Sequence, residues 1–156
     1  MKAVIQRVTY SNLSIDNKIY SQIKRGLVVL LGIAHYDDDN DIQWLAKKIV
    51  NLRIFNDDKN IMNKSLIDVS GELMIVSQFT LHAQTKKGNR PSYIDAANGD
   101  IAEKIYKSFI LEIENKYNLK PKTGKFGADM KVELENDGPV TIITVSYTHL
   151  TLPTKA

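Results

Sequence analysis

Gly71-Glu72-Leu73-Met74-Ile75-Val76-Ser77-Gln78-Phe79-Thr80-Leu81 joins a glycine turn, an unbroken apolar run and two hydroxyl residues within eleven positions. Residues 73–76 carry no polar side chain, which is the signature of a strand buried on both faces. Ser77 and Thr80 then fall at the end of that strand, with Gln78 and Phe79 between them. Small polar groups in that position line pockets, and the same residue types also end strands simply as turn formers. The stretch alone leaves both readings open, so the rest of the chain has to decide.

Upstream, residues 2–9 alternate as a strand does, and residues 13–15, 19–23 and 27–33 follow at short intervals. Asp16-Asn17-Lys18 and Lys24-Arg25-Gly26 separate them with turn chemistry, which predicts an antiparallel meander. Residues 27–31 are apolar on both faces and predict a central strand. Asp37-Asp38-Asp39-Asn40-Asp41 then opens a helix whose apolar positions are Ile42, Leu45, Ile49 and Leu52, with Lys47 and Lys48 toward its end. Acids first and cations later suit the helix dipole. The acidic cluster is not a calcium loop. Counted from Asp37, the sixth position is Ile42 instead of glycine and the twelfth is Lys48 instead of a bidentate glutamate. A polar loop over residues 56–64 and residues 65–69 bring the chain to the central stretch.

Downstream, His82-Ala83-Gln84-Thr85-Lys86-Lys87-Gly88-Asn89-Arg90-Pro91-Ser92 forms a basic loop directly after the candidate site. Lys86, Lys87 and Arg90 fit a solvated turn, and they equally fit phosphate contacts beside a pocket. Asp100 and Glu103 read as a capping box, and Ile101, Ile105, Phe109 and Ile113 continue one apolar face to about Tyr117. Pro121 and Gly124 end this second helix. Met130, Val132 and Leu134 alternate with charges as a strand with one wet face. Asn136-Asp137-Gly138-Pro139 turns the chain, and residues 140–145 return as a β-branched strand, so a hairpin is expected to close the domain. A Gly-Pro pair there is either punctuation or, with a cis bond, a rigid probe made of backbone. Strands in runs with two inserted helices predict an α+β fold, two mainly antiparallel β-sheets with both helices packed on one side.

The chain has 156 residues, the length of one domain, and contains no cysteine. Thiol nucleophiles, Cys-ligated zinc and disulfides are thereby excluded, which fits a reducing compartment. Hydrophobic residues at 43% and charged ones at 25% are ordinary globular values and argue against global disorder. The longest apolar run, residues 27–34, is too short to span a bilayer, and the early Lys2, Gln6 and Arg7 do not suit a secretory signal. No membrane association is therefore expected. A net charge of +3 permits a polyanionic partner without demanding one.

Ser77-Gln78-Phe79-Thr80-Leu81 and Asn136-Asp137-Gly138-Pro139-Val140-Thr141 together resemble the two signature motifs of the D-aminoacyl-tRNA deacylases. Supporting blocks are Ala3-Val4-Ile5-Gln6-Arg7-Val8, Leu52-Arg53-Ile54-Phe55, Lys87-Gly88-Asn89-Arg90-Pro91-Ser92 and Phe126-Gly127-Ala128-Asp129-Met130-Lys131-Val132. The resemblance spans residues 1–145 in order, one domain. Residues 146–156 depart from the family's usual end and read as an atypical tail. What the resemblance implies is a cytoplasmic homodimer of three-layer β/β/α, barrel-like form with its site at the dimer interface. It implies hydrolysis of the ester in D-aminoacyl-tRNA, and of glycine mischarged on tRNA, without metal or cofactor. Ser77, Gln78, Phe79 and Thr80 would form the catalytic pocket. Gly138 and Pro139 would be the gate that rejects L-aminoacyl-tRNA, with Arg7 holding the gate in orientation. Lys86, Lys87 and Arg90 would contact the tRNA.

Catalysis in this reading falls to backbone N–H groups near Phe79 and Thr80, assisted by the ribose 2′-hydroxyl of the substrate, because a threonine hydroxyl without an adjacent base is a poor nucleophile. His82 alternates away from Leu81 and is expected on the surface, and His35 is expected to be structural. Two rivals remain: a non-catalytic RNA-binding module using the basic loop, and a general small-molecule esterase.

Overall fold

β1 (Lys2–Ile15) is the strand on which the computed structural model is built; the structure describes residues 1–146. After a turn at Asp16 and Asn17, both at positive φ, β2 (Lys18–Ile23) runs back antiparallel along Ser11 to Ile15 of β1. The chain passes Lys24 and Arg25 and continues as β3 (Gly26–Gly32), which pairs antiparallel with Lys2 to Val8 of the same strand. The expected meander is therefore a long arm folded once against β1, with β3 beside β1 and not beside β2. Alternation shows which residues are strands, but partner choice was set by the length of β1, which reaches past both β2 and β3.

α1 (Asp39–Asn51) follows, capped by the Asp38 carboxylate, which accepts from the N–H groups of Asn40 and Asp41 while the Asp41 side chain accepts from the N–H of Asp38. This capping box is the start that the acidic cluster predicted. The short strands β4 (Phe55–Asn56) and β5 (Met62–Lys64) form a separate two-stranded sheet. β6 (Glu72–Ser77) is the apolar strand of the central stretch, pairing in parallel with β3 from Gly26↔Glu72 to Leu31↔Ser77. α2 (Gly99–Tyr117) is capped by the Asn98 side chain, which accepts from the Ile101 N–H at 3.1 Å. The expected box of Asp100 and Glu103 does not form. β7 (Lys122–Thr123) adds in parallel to β6.

β8 (Lys131–Val145) departs most from the sequence reading. In place of a hairpin turning at Gly138-Pro139, one fifteen-residue strand pairs antiparallel with β1 over almost its whole length. Its register jumps between Gln6↔Thr141 and Val8↔Asn136, so residues 137–140 bulge out opposite Arg7 alone. Turn-forming residues within an edge strand make a bulge where the flanking segments share one partner strand.

The six-stranded sheet separates two cores. On one face Ala3, Ile5, Leu27, Val29, Leu73 and Ile75 meet Leu45 and Ile49 of α1 and Phe109 and Ile113 of α2, all of them 0–1% exposed. Burial of side chains such as Leu45 and Ile49 contributes about 2 kcal/mol each. On the other face Val8, Leu13, Val28, Met74 and Val76 are covered by Met130, Val132 and Leu134 as the sheet curls upon itself. The result is the expected α+β architecture, a barrel-like sheet with two helices on one side. Residues 147–156, which include His149 and Pro153, lie outside the described residues. Ser146 is buried, donating its N–H to the Met1 carbonyl and its hydroxyl to Asp41.

Candidate functional site

β6 is laid between β3 and β7, so its end is carried to one rim of the sheet with little freedom. Ser77 is its last residue, and the Gln78 N–H still donates to the Leu31 carbonyl at 2.8 Å. The chain then tightens into a single 3-10 turn, Phe79–His82. This turn sits on Gly32, where a β-carbon would come within 2.9 Å of Leu81 Cβ and 3.1 Å of the Gln78 carbonyl. A side chain at that position would push the turn outward, so glycine sets its height.

A cleft of about 510 Å³ opens in front of the turn, lined by Ser77, Gln78 and Phe79, by Gly99 and Ala102 of α2, and by the segment from Phe126 to Met130. Three backbone contacts, His35 N–H to Asp95, Ala97 N–H to Ile33 and the Ala34↔Ala96 bridge, bring the start of α2 to this rim. Small residues there leave the space open. Thr80 is not among the lining residues. Its hydroxyl instead accepts from the Gln78 side-chain amide at 2.5 Å, and no imidazole or carboxylate is hydrogen-bonded to it among the described residues. The N–H groups of Phe79 and Thr80 open a turn, where no carbonyl one turn earlier is available. Among the described residues neither donates to a protein group. Two adjacent free donors beside a cleft make a site for a developing negative charge.

Phe79 is half exposed and meets the edge of Tyr93, ring centroids 5.0 Å apart. Tyr93 stands at the foot of the basic loop, whose neck is closed by mutual N–H to carbonyl bonds between Gln84 and Ser92. Lys86, Lys87 and Arg90 are all exposed on this loop, and none of them lines the cleft. His82, expected on the surface, is buried at 4% exposure because the 3-10 turn rotates it inward over Gly32. Its Nε2 has no protein partner among the described residues, and burial holds its pKa below the ordinary value. Beneath the cleft the Tyr106 hydroxyl donates to the Ile75 carbonyl, and burial pushes its pKa up, so it stays protonated.

Gly138 and Pro139 lie elsewhere. They are joined by a cis peptide bond at the crest of the β8 bulge, both exposed, with Gly138 at φ 129°, a conformation open to glycine. Arg7 holds the bulge from behind. Its Nε donates to the Asp137 carbonyl at 3.1 Å, and its Nη1 donates to the Ile54 carbonyl at 2.7 Å. The Asn136 side chain accepts from the Val140 N–H at 2.9 Å and closes the base of the bulge. Arg7 pairs across to Leu27 and onward to Leu73, whereas Ser77 is four residues further along β6. Three strand spacings and four residues of rise put the bulge about 20 Å from the cleft over the sheet surface. Within one chain the two motifs do not meet.

The family described as D-Tyr-tRNA(Tyr) deacylase matches residues 4–145, a span that contains the cleft, the bulge and Arg7. The chain belongs to this family. A D-aminoacyl-tRNA deacylase of Parabacteroides distasonis is 56% identical over 143 residues, covering 92% of this chain and 95% of the relative. A solved structure titled c-Myc DNA Unwinding Element Binding Protein superimposes with a TM-score of 0.88 at 42% identity, covering 94% of this chain and 99% of that one. Another, titled a probable eukaryotic D-amino acid tRNA deacylase, gives a TM-score of 0.76 at 17% identity, covering 92% of this chain and 97% of that one, and shows the shared fold. The deacylase family thus includes relatives that match almost their whole length to this chain.

The segment from Phe126 to Met130 lines the cleft but was not singled out as site by the sequence reading. Its signal was available, since it is one of the blocks that carry the family resemblance. Ala97, Gly99 and Ala102 had no signal, because small residues near a helix start read only as helix. No group of three or more metal-ligating side chains occurs among the described residues, and none of their helices is long and apolar enough to cross a membrane.

Proposed function

We propose that this chain hydrolyses the ester joining a D-amino acid, or mischarged glycine, to the terminal ribose of tRNA, and spares L-aminoacyl-tRNA. The observation that carries the reading is the pair of unpartnered N–H groups of Phe79 and Thr80 beside the Ser77–Gln78 end of the cleft, in a chain of the deacylase family. Those donors orient the ester carbonyl and stabilise its oxyanion. Water attacks the carbonyl carbon, assisted by the neighbouring 2′-hydroxyl. The bond to the 3′-oxygen then breaks, and that oxygen takes the proton. Thr80 supports the turn by accepting from Gln78.

The gate in this reading comes from a second copy of the chain. A bulge about 20 Å away over its own sheet completes a neighbour's cleft more readily than its own. β8 also offers an edge with no strand on its far side among the described residues, and Ile143 on it is 71% exposed, which favours assembly through this face. Gly138 and Pro139 then present backbone carbonyls to the amino group of a D-aminoacyl ester, and an L side chain collides with them. Discrimination rests on exclusion, so any D side chain is accepted. Lys86, Lys87 and Arg90 hold the phosphates of the acceptor end, and the cytoplasm, where charged tRNA is found, is the proposed location.

Release of tyrosine from matched D-tyrosyl-tRNA and L-tyrosyl-tRNA tests this. Rapid release from the D form alone is expected. Release from both overturns the gate, and cleavage of simple activated esters points to a general esterase. Salt-sensitive nucleic-acid binding without turnover would favour the binding-module reading, which the basic loop and the DNA-binding name of the structural relative at 42% identity support.

A further inference from the structure

α1 turns five apolar residues inward, Ile42, Leu45, Ala46, Ile49 and Val50, none more than 5% exposed. Its one other large apolar residue, Trp44, faces outward at 38% exposure. Trp44 is the only tryptophan of the chain, and it stands between two surface depressions. One is formed with Lys47, Lys48, Asn51, Leu52 and Arg53 and contains no acid. The other is formed with Asp38, Asn40, Gln43, Lys47, Lys116 and Tyr117. Its one carboxylate, Asp38, is engaged by the N–H groups at the start of α1.

The cations here are available to a ligand. Lys47 and Lys48 form no ion pair among the described residues, and Lys48 Nζ lies over the indole, 5.3 Å from its centroid. Arg53 donates its Nε to the Asn63 carbonyl and lies within the field of the Asp68 carboxylate, so it is partly engaged. Lys116 is already paired with Glu112 at 3.0 Å and contributes less. An exposed indole ringed by cations, of which Lys47 and Lys48 form no ion pair among the described residues, matches a polyanion whose charges are spaced by apolar sugars. The cations meet phosphates, and the indole offers an apolar face to riboses with an N–H at its edge for a 2′-hydroxyl.

Position selects the ligand further. α2 runs from Gly99 and Ala102 at the cleft to Lys116 and Tyr117 at this patch, about 22 Å along the helix axis. A tRNA whose esterified end enters the cleft has its paired stem, and no longer its single-stranded end, at that range. We propose that Trp44, Lys47, Lys48 and Arg53 form a second RNA-binding surface that grips the backbone of the acceptor stem while the terminal nucleotide occupies the cleft. The proposal rests on the deacylase reading for the identity of the RNA. The contact is to phosphate and sugar, so it is independent of tRNA sequence and falls with salt.

The test compares the full chain with Lys47→Glu/Lys48→Glu, Lys47→Gln/Lys48→Gln and Trp44→Ala, each checked for an unchanged thermal midpoint. Affinity is measured for uncharged tRNA, for an acceptor-stem hairpin RNA, and for a single strand of the same 3′ sequence. Charge reversal is expected to weaken tRNA and hairpin binding about tenfold or more and to flatten the dependence of log affinity on log salt by roughly one to two. The neutral pair and Trp44→Ala are expected to weaken both by about three- to tenfold. The single strand should change less than twofold. Equal loss on the single strand, or unchanged tRNA and hairpin affinity in a folded variant, overturns the proposal. Release of D-tyrosine from charged tRNA by the wild-type chain is read alongside. Failure there sinks the deacylase reading, while the hairpin arm still decides whether this patch binds RNA.

Discussion

Replacing Arg7 by methionine removes the guanidinium that hydrogen-bonds the β8 bulge to the body of the protein. Arg7 is 6% exposed, and its guanidinium reaches the Asp137 carbonyl at 3.1 Å and the Ile54 carbonyl at 2.7 Å. Methionine fills much of the same volume but donates nothing. The Ile54 carbonyl belongs to a buried residue and would be left unsatisfied, a cost of about 1–3 kcal/mol. Asp137 lies at the surface, and water can replace the lost donor there, so that bond adds only about 1 kcal/mol. The sum is a loss of about 2–4 kcal/mol, read as a lower denaturant midpoint at an unchanged slope. Arg7→Lys keeps the charge, but a single ammonium cannot reproduce both directions of the fork, so a smaller loss of about 1–2 kcal/mol is expected. The functional readout is separate. With the bulge untied, release from L-tyrosyl-tRNA is expected to rise about tenfold relative to D-tyrosyl-tRNA, equivalent to about 1.4 kcal/mol of lost discrimination. An Arg7→Met protein with unchanged stability and an unchanged D-to-L ratio would refute the claim that this guanidinium positions Gly138 and Pro139.

Thr80→Ala removes only an acceptor for the Gln78 amide, so a drop of less than about tenfold in D-amino-acid release is expected. Complete loss would instead assign Thr80 as nucleophile. Tyr106→Phe deletes the donor to the buried Ile75 carbonyl two residues before Ser77, and should cost about 1–2 kcal/mol, a fall of roughly 2–8 °C in thermal midpoint. The folded-state pKa of His82 lies below its ordinary 6.5, chiefly through burial, so the unfolded chain binds the proton more readily. That contribution to stability is complete above about pH 6.5 and is lost as pH falls below it, and His82→Gln should flatten the decline measured by denaturation from about pH 7 to 5.

Legibility differed from element to element. Both helices could be read because an amphipathic helix writes its contacts into one local period, and the acidic start at residues 37–41 and the Ile42–Leu45–Ile49 face were visible at once, whereas the box between Asp38 and Asp41 came from the structure. The cap of α2 was misplaced by two residues because Asn98 and Asp100 are equally good local candidates. β6 announced itself by having no polar residue to spare. Gly138-Pro139 was legible as an irregularity but not as a bulge, since the same residues turn a hairpin or kink a strand depending on whether the flanks share a partner. Here residues on both sides pair with β1.

Sequence by itself settled the α+β class, both helices of the described residues, the buried character of β6 and the family, because composition, periodicity and ordered motifs are properties of the chain read locally. The tertiary structure alone decided that β3 lies against β1, that β8 is one strand, that Thr80 stands back from the cleft, and that the cleft and the bulge of one chain are kept apart. Those outcomes follow from which strands pair and in what register. A single register shift in β8 opposite Arg7 lifts four residues out of the sheet, and nothing within those four residues states which strand will lie beside them.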